Sequence, residues 1–192
     1  MQFDMTNPVL IASAAVVVLI LVVGFVFYIR KRRRTSAGLR TRFGPEYGRA
    51  VVTHGSERKA EAKLTDRETR VEGMTLRDLS TAERARFSAD WLAVQSRFVD
   101  HPKGSVTEAD ELISALLVER GYPVADFERR AADISVNHPR LVEYYRSAHG
   151  VAVRLGKEEA STEELRTAMI QYRSLFEDLL ETHSPGGIKA VA

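Results

Sequence analysis

The side chains of this chain that could do chemistry are five histidines, 26 acidic residues and a scatter of hydroxyls, with no cysteine. The lack of cysteine excludes disulfides, thiolate nucleophiles and cysteine-type zinc sites together, and suits a reducing compartment. Asp133, His138, Tyr145, His149 and Tyr172 interleave polar groups with aromatics, and a helical bundle over residues 126–180 could close a cleft around them. Such a cleft would suit a small-molecule sensor or an enzyme.

Each specific motif that would sharpen that reading is missing. His138 and His149 are eleven residues apart, about 16 Å along one helix, too far to share an ion. His54, His101 and His183 stand at helix ends, where a cap or a solvated turn is the ordinary role. There is no His-Glu-x-x-His, no Gly-x-Gly-x-x-Gly, no phosphate loop and no Gly-x-Ser-x-Gly. Ser80, Ser105 and Ser161 are accounted for as helix caps. The neighbours Glu158-Glu159 and Asp110-Glu111 point to different sides of a helix and read as solvated. Trp91, Tyr145, Tyr172 and Phe176 fall on apolar stripes, as packing requires. No catalytic residue, metal ligand or cofactor is assigned.

The elements that must position these groups are helices. Pro45 suits a first helical position, and Phe43, Tyr47 and Val51 recur at spacing four until His54-Gly55. Ser56 caps a second helix through about Glu72. Ser80-Thr81-Ala82-Glu83 is a capping box opening a third, with Phe87, Trp91, Val94 and Phe98 on its inner face. Ser105 leads a fourth, stopped by Gly121; Asp126 to Asp133 forms a short fifth. A sixth begins around Asn137-His138-Pro139 and runs to Gly156. A second capping box, Ser161 to Glu164, opens a seventh with a seam of Leu165, Met169, Tyr172, Phe176 and Leu179. No window alternates with period two, so the fold class is all-α, a compact bundle of about six or seven helices over residues 43–182.

Ahead of that bundle, residues 1–8 form a short head and residues 9–29 an uncharged run of 21 residues, about 31 Å long as a helix. That length matches the roughly 30 Å hydrocarbon core of a bilayer. Fifteen of its residues are Val, Leu, Ile or Phe, which favours insertion by up to roughly 4–9 kcal/mol. The head carries Asp4 and no base, and bases stand where a signal peptide would be cleaved, so the run is expected to be a transmembrane helix. Arg30, Lys31, Arg32, Arg33 and Arg34 follow at once and resist transfer, which sets the N-terminus outside and the rest in the cytoplasm. A lone Gly24 makes no Gly-x-x-x-Gly pair for helix association.

The net charge of +2 conceals a division: residues 30–70 carry +8 and residues 71–192 carry −5. The basic run suits anionic lipid headgroups, at about 1 kcal/mol per base, and its place beside an apolar span argues against nucleic acid. Thr35-Ser36-Ala37-Gly38 reads as flexible linker within a juxtamembrane segment over 30–42, and residues 183–192 as a frayed tail.

The runs Arg42 to Tyr47, Trp91 to Gln95 with Phe98-Val99-Asp100, Arg120 to Pro123, Asp126 to Glu128, Arg130 to Asp133 and Ser161 to Arg166 resemble a family of bacterial single-pass membrane-anchored proteins with an α-helical soluble domain. The resemblance implies a fold class and an anchor, and no activity. The expectation is therefore a non-catalytic helical interaction module at the inner face of the membrane with an unknown protein partner. The alternative is the sensor or enzyme with a pocket within 126–180.

Overall fold

A computed structural model describes residues 19, 21–25, 27, 30, 35–155 and 160–181. The chain divides into two compact units, Met1–Thr41 and Arg42–Ala192. Most of the apolar run, Lys31 to Arg34, Glu158-Glu159, Gly156 and the tail lie outside the described residues. Among the described residues no helix is long and apolar enough to cross a membrane.

In the first unit, Leu19, residues 21–25, Phe27 and Arg30 are helical and exposed. Residues 35–41 are also helical, where the sequence suggested a flexible linker over Thr35 to Gly38. Leu39 is buried there.

The second unit is all-helical among its described residues. It comprises α1 (Pro45–His54), α2 (Glu57–Glu72), α3 (Thr81–Arg97), α4 (Pro102–Glu119), α5 (Phe127–Asn137), α6 (Val142–Leu155) and α7 (Thr162–Glu181). Local chemistry fixes most of the starts. Ser56 Oγ accepts from the Lys59 amide at 3.3 Å, and Asp126 Oδ1 from Arg129 at 2.9 Å. Both capping boxes form: Glu83 Oε2 takes the Ser80 amide at 2.7 Å, and Glu164 Oε2 takes the Ser161 amide at 2.8 Å.

Three boundaries differ from the periodicity. Helix α4 starts at Pro102, because a proline at the first position gives up an amide that has no helical partner anyway. Ser105 is therefore inside the first turn and buried, and its amide donates to His101 O at 3.0 Å. Ile134, Ser135 and Val136 continue α5, so His138 caps that helix and does not belong to α6. A turn through Pro139 and Arg140 then leads to α6 at Val142.

Helix α7 packs against both α4 and α6; α4 also contacts α3 and α6, and α5 joins α6 to α2. The shared core includes Ile113, Leu116 and Leu117 of α4, Ile134 of α5, Tyr145 of α6 and Leu165, Tyr172 and Leu179 of α7. Trp91 of α3 stacks on Phe176 of α7 with ring centroids 4.8 Å apart and planes 15° from parallel. The α1–α2 hairpin is fastened by charge: Glu46, 1 % exposed, accepts from Arg67 of α2 at 3.0 Å and from Arg146 of α6 at 3.2 Å.

The connection from α2 to α3 depends on one glycine. Gly121 has φ 93°, and a Cβ there would stand 2.3 Å from the Thr75 carbonyl oxygen. Only glycine serves both conditions, the left-handed backbone and the close approach. The neighbouring Arg77 amide donates to Arg120 O at 3.0 Å, which ties the connection to the end of α4.

Candidate functional site

The polar centre of the bundle is Asp110, one turn beyond Val106 on the inner face of α4. Tyr172 of α7 donates its hydroxyl to Asp110 Oδ1 at 2.7 Å. His149 of α6 reaches both carboxylate oxygens through Nδ1, at 3.1 and 3.2 Å. An ionised carboxylate only accepts, so the Nδ1 proton belongs to His149. Phe127 of α5 stacks on the imidazole at 3.6 Å with planes 9° apart, and its ring lies 5.0 Å from that of Tyr145. Tyr145 meets Tyr172 edge-on at 6.4 Å.

Burial alone would raise the Asp110 pKa, but the hydrogen bonds from His149 and Tyr172 and the positive charge of Arg130 outweigh it and hold the carboxyl below its ordinary value. Tyr172 is pushed strongly upward by burial and then by the adjacent Asp110 charge. Tyr145 is pushed up to about 12, chiefly by burial. Its hydroxyl lies near Ser114 and Arg130 but makes no hydrogen bond of acceptable geometry.

Of the five residues singled out by sequence, Tyr145, His149 and Tyr172 do converge. Asp133 is elsewhere, buried on α5 and paired with Arg70 of α2, whose Nε donates at 2.8 Å. His138 also lies apart, its Nδ1 joined to Asp178 of α7, and the two border a hollow of about 350 Å³. Asp110, Phe127 and Arg130 are the members that sequence reasoning missed. Asp110 is no solvated neighbour of Glu111: it is the acid within the stripe Val106, Ile113 and Leu117. A carboxylate at a core position was the available signal.

The arrangement orients an imidazole on a carboxylate, the relation that sets a general base in hydrolases. Here the ring face is covered by Phe127, and the phenol beside it is spent on the same carboxylate. The cluster therefore joins α4, α5, α6 and α7. Among the described residues no group of three His, Asp or Glu could hold a metal ion.

A second feature lies around α6 from this cluster. Between α6 and the start of α7 runs a groove of about 560 Å³, whose lining includes Arg146, Gly150, Arg154, Glu163, Glu164 and Gln171. Two of its lining residues pair with each other, Arg154 Nη2 donating to Glu164 Oε1 at 2.6 Å.

Comparison with protein-family models, with curated proteins and with solved structures gives no match. The reading of this chain rests on its own residues.

Proposed function

We propose that this protein is a membrane-tethered helical interaction module: residues 9–29 anchor it, Arg30 to Arg34 lie among anionic headgroups, and the bundle faces the cytoplasm to engage a protein partner. The observation that carries this reading is the uncovered apolar surface of the first unit. Leu19, Leu21, Val22, Val23, Phe25 and Phe27 are between 52 % and 70 % exposed. A contiguous apolar surface of that kind is unfavourable in water and is satisfied by lipid or by another chain. The five bases that follow select lipid and set the orientation.

The partner reading rests on charge. Residues 71–192 carry −5, while the interior polar groups of the bundle are largely spent on one another, as in Asp110 with His149 and Asp133 with Arg70. What remains for recognition is an acidic helical exterior, which suits a basic protein surface.

The chain has no cysteine, so single cysteines can be placed at will. With Thr6→Cys and Ser36→Cys in separate full-length proteins, an impermeant maleimide added to intact cells should label the first and spare the second. Carbonate-washed membranes should retain both. Release by carbonate, or labelling of Ser36→Cys from outside, would overturn the anchor. Proximity labelling from the C-terminal end should then enrich a recurrent partner; enrichment indistinguishable from that of an inert anchored control would remove the partner.

A further inference from the structure

The hollow at the join of α5 and α6 is lined by groups that neither the anchor nor the Asp110 cluster uses. His138 stands before Pro139, and a residue in that position leaves the helical region, so it ends α5 with φ −127° and ψ 56°. Its side chain is 5 % exposed, and Nδ1 is joined to Asp178 of α7. An ionised carboxylate only accepts, so the Nδ1 proton belongs to His138, and Nε2 carries a lone pair whenever the ring is neutral. Among the described residues Nε2 has no hydrogen-bond partner, and it is not sealed within the protein, for His138 borders the hollow. A buried polar side chain thus holds one unmatched atom toward an open space, although such atoms are almost always matched.

Two further observations fix the sign of an occupant. Arg140 lines the same hollow, is exposed, and takes part in no ion pair among the described residues. Arg140 and Leu141 lead directly into α6 at Val142, so the positive end of a 14-residue helix lies at the edge of the hollow. Asp178, the acid in the lining, is already answered by His138 and by the charge of Arg120. What the hollow leaves unanswered is therefore positive. Its volume, about 350 Å³, lies at the small end of the range for ligand sites, room for an anionic group and a short organic tail.

The imidazole selects among anions. A carboxylate or a phosphodiester brings one charge and, near neutrality, no proton. A phosphate monoester brings up to two charges, and its second pKa of about 6 lets it carry or share a proton in the range where an imidazole does the same. We infer that the α5–α6 hollow binds a phosphate monoester, its oxygens on Arg140 and at the start of α6 and one proton shared with Nε2 of His138. Asp178 is a positioning residue, which fixes the ring so that Nε2 stays toward the ligand. A soluble organophosphate and the headgroup of a phosphatidic acid present the same group to the site. The lining residues all belong to the second unit, so the inference does not depend on the membrane reading.

The test is calorimetric titration of the full chain in maltoside micelles with glycerol 3-phosphate and with dihexanoyl phosphatidic acid, each set against acetate and the diester glycerophosphocholine. At least one monoester should bind, and acetate and the diester should bind about tenfold weaker or worse, a loss of about 1.4 kcal/mol. Phosphatidic acid binding about tenfold tighter than glycerol 3-phosphate would identify a lipid headgroup as the ligand, and equal binding a soluble one. Arg140→Gln changes an exposed side chain and leaves the fold intact, and it should weaken the monoester about tenfold. His138→Gln, which cannot share the proton, should do the same, while Arg58→Gln on the exposed face of α2 should change nothing. The proposal is overturned if neither monoester binds, if acetate or the diester binds as tightly, or if Arg140→Gln binds the monoester as the unaltered chain does.

Discussion

Asp110 shows how much a single carboxylate can organise when its neighbours answer it. Its two oxygens gather a phenol from α7 and an imidazole from α6. Because its pKa is lowered on folding, the stability it contributes is present above the unfolded value of about 3.9 and is lost as pH falls through the folded value. Asp110→Asn should therefore destabilise the fold at neutral pH by on the order of 2 kcal/mol, and urea titrations at pH 7 and pH 3 should show that gap shrinking in acid. The two tyrosines beside it should behave oppositely when their hydroxyls are removed. Tyr172→Phe takes a hydrogen bond from Asp110 and should cost about 1–2 kcal/mol, whereas Tyr145→Phe removes a buried hydroxyl without a partner and should be neutral or stabilising. Both phenols have raised pKa values, so their contribution holds below the unfolded value near 10 and is lost above it. In an alkaline titration followed by phenolate absorbance, Tyr145 and Tyr172 should ionise only as the chain unfolds. Sequence alone made Tyr145, His149 and Tyr172 visible as polar groups near aromatics, but it could not show which groups Asp110 meets, because those contacts span 39 and 62 residues of chain.

At the scale of elements, local rules located what local chemistry fixes. The boxes at Ser80 and Ser161 state their helix starts within four residues, and both form. Ser161→Ala should cost roughly 0.5–2 kcal/mol at the start of α7, measurable as earlier amide exchange in its first turn. The misplaced boundaries lie where a proline permits two readings: Pro102 opens α4 from within what looked like a break, and Pro139 follows α5 and delays α6. Periodicity marks which face of a helix is buried and leaves open where a proline-flanked turn falls. Contacts between distant segments were equally illegible. Gly121 read as a stop signal, yet its larger role is to let Thr75 approach. Gly121→Ala should destabilise by about 2–4 kcal/mol, combining a strained backbone with a displaced connection, and equilibrium urea unfolding would register it. Glu46, in the first turn of α1, fastens α1 and α2 to α6. Glu46→Ala takes from Arg67 the buried carboxylate it meets at 3.0 Å and leaves Arg146 with Glu128, and a loss of roughly 3 kcal/mol is expected by the same measurement.

At the scale of the whole molecule, charge asymmetry carries the strongest expectation. If Arg30 to Arg34 set the orientation, replacing them with glutamine and adding bases ahead of Pro8 should invert the topology, reversing the labelling of Thr6→Cys and Ser36→Cys. The fold class was legible throughout because helical periodicity is a local property, while function was not, since no motif with a fixed mechanism appears in the chain. The position of α7 has one more implication. This helix lies across α4 and α6 and supplies Leu165, Tyr172, Phe176 and Leu179 to the core, yet the ribosome makes it after them. During synthesis the nascent bundle must wait with Ile113, Leu116 and Tyr145 uncovered until its keystone emerges. A stop codon just before Thr162 should thus yield a sticky, chaperone-bound product in place of a slightly shortened domain.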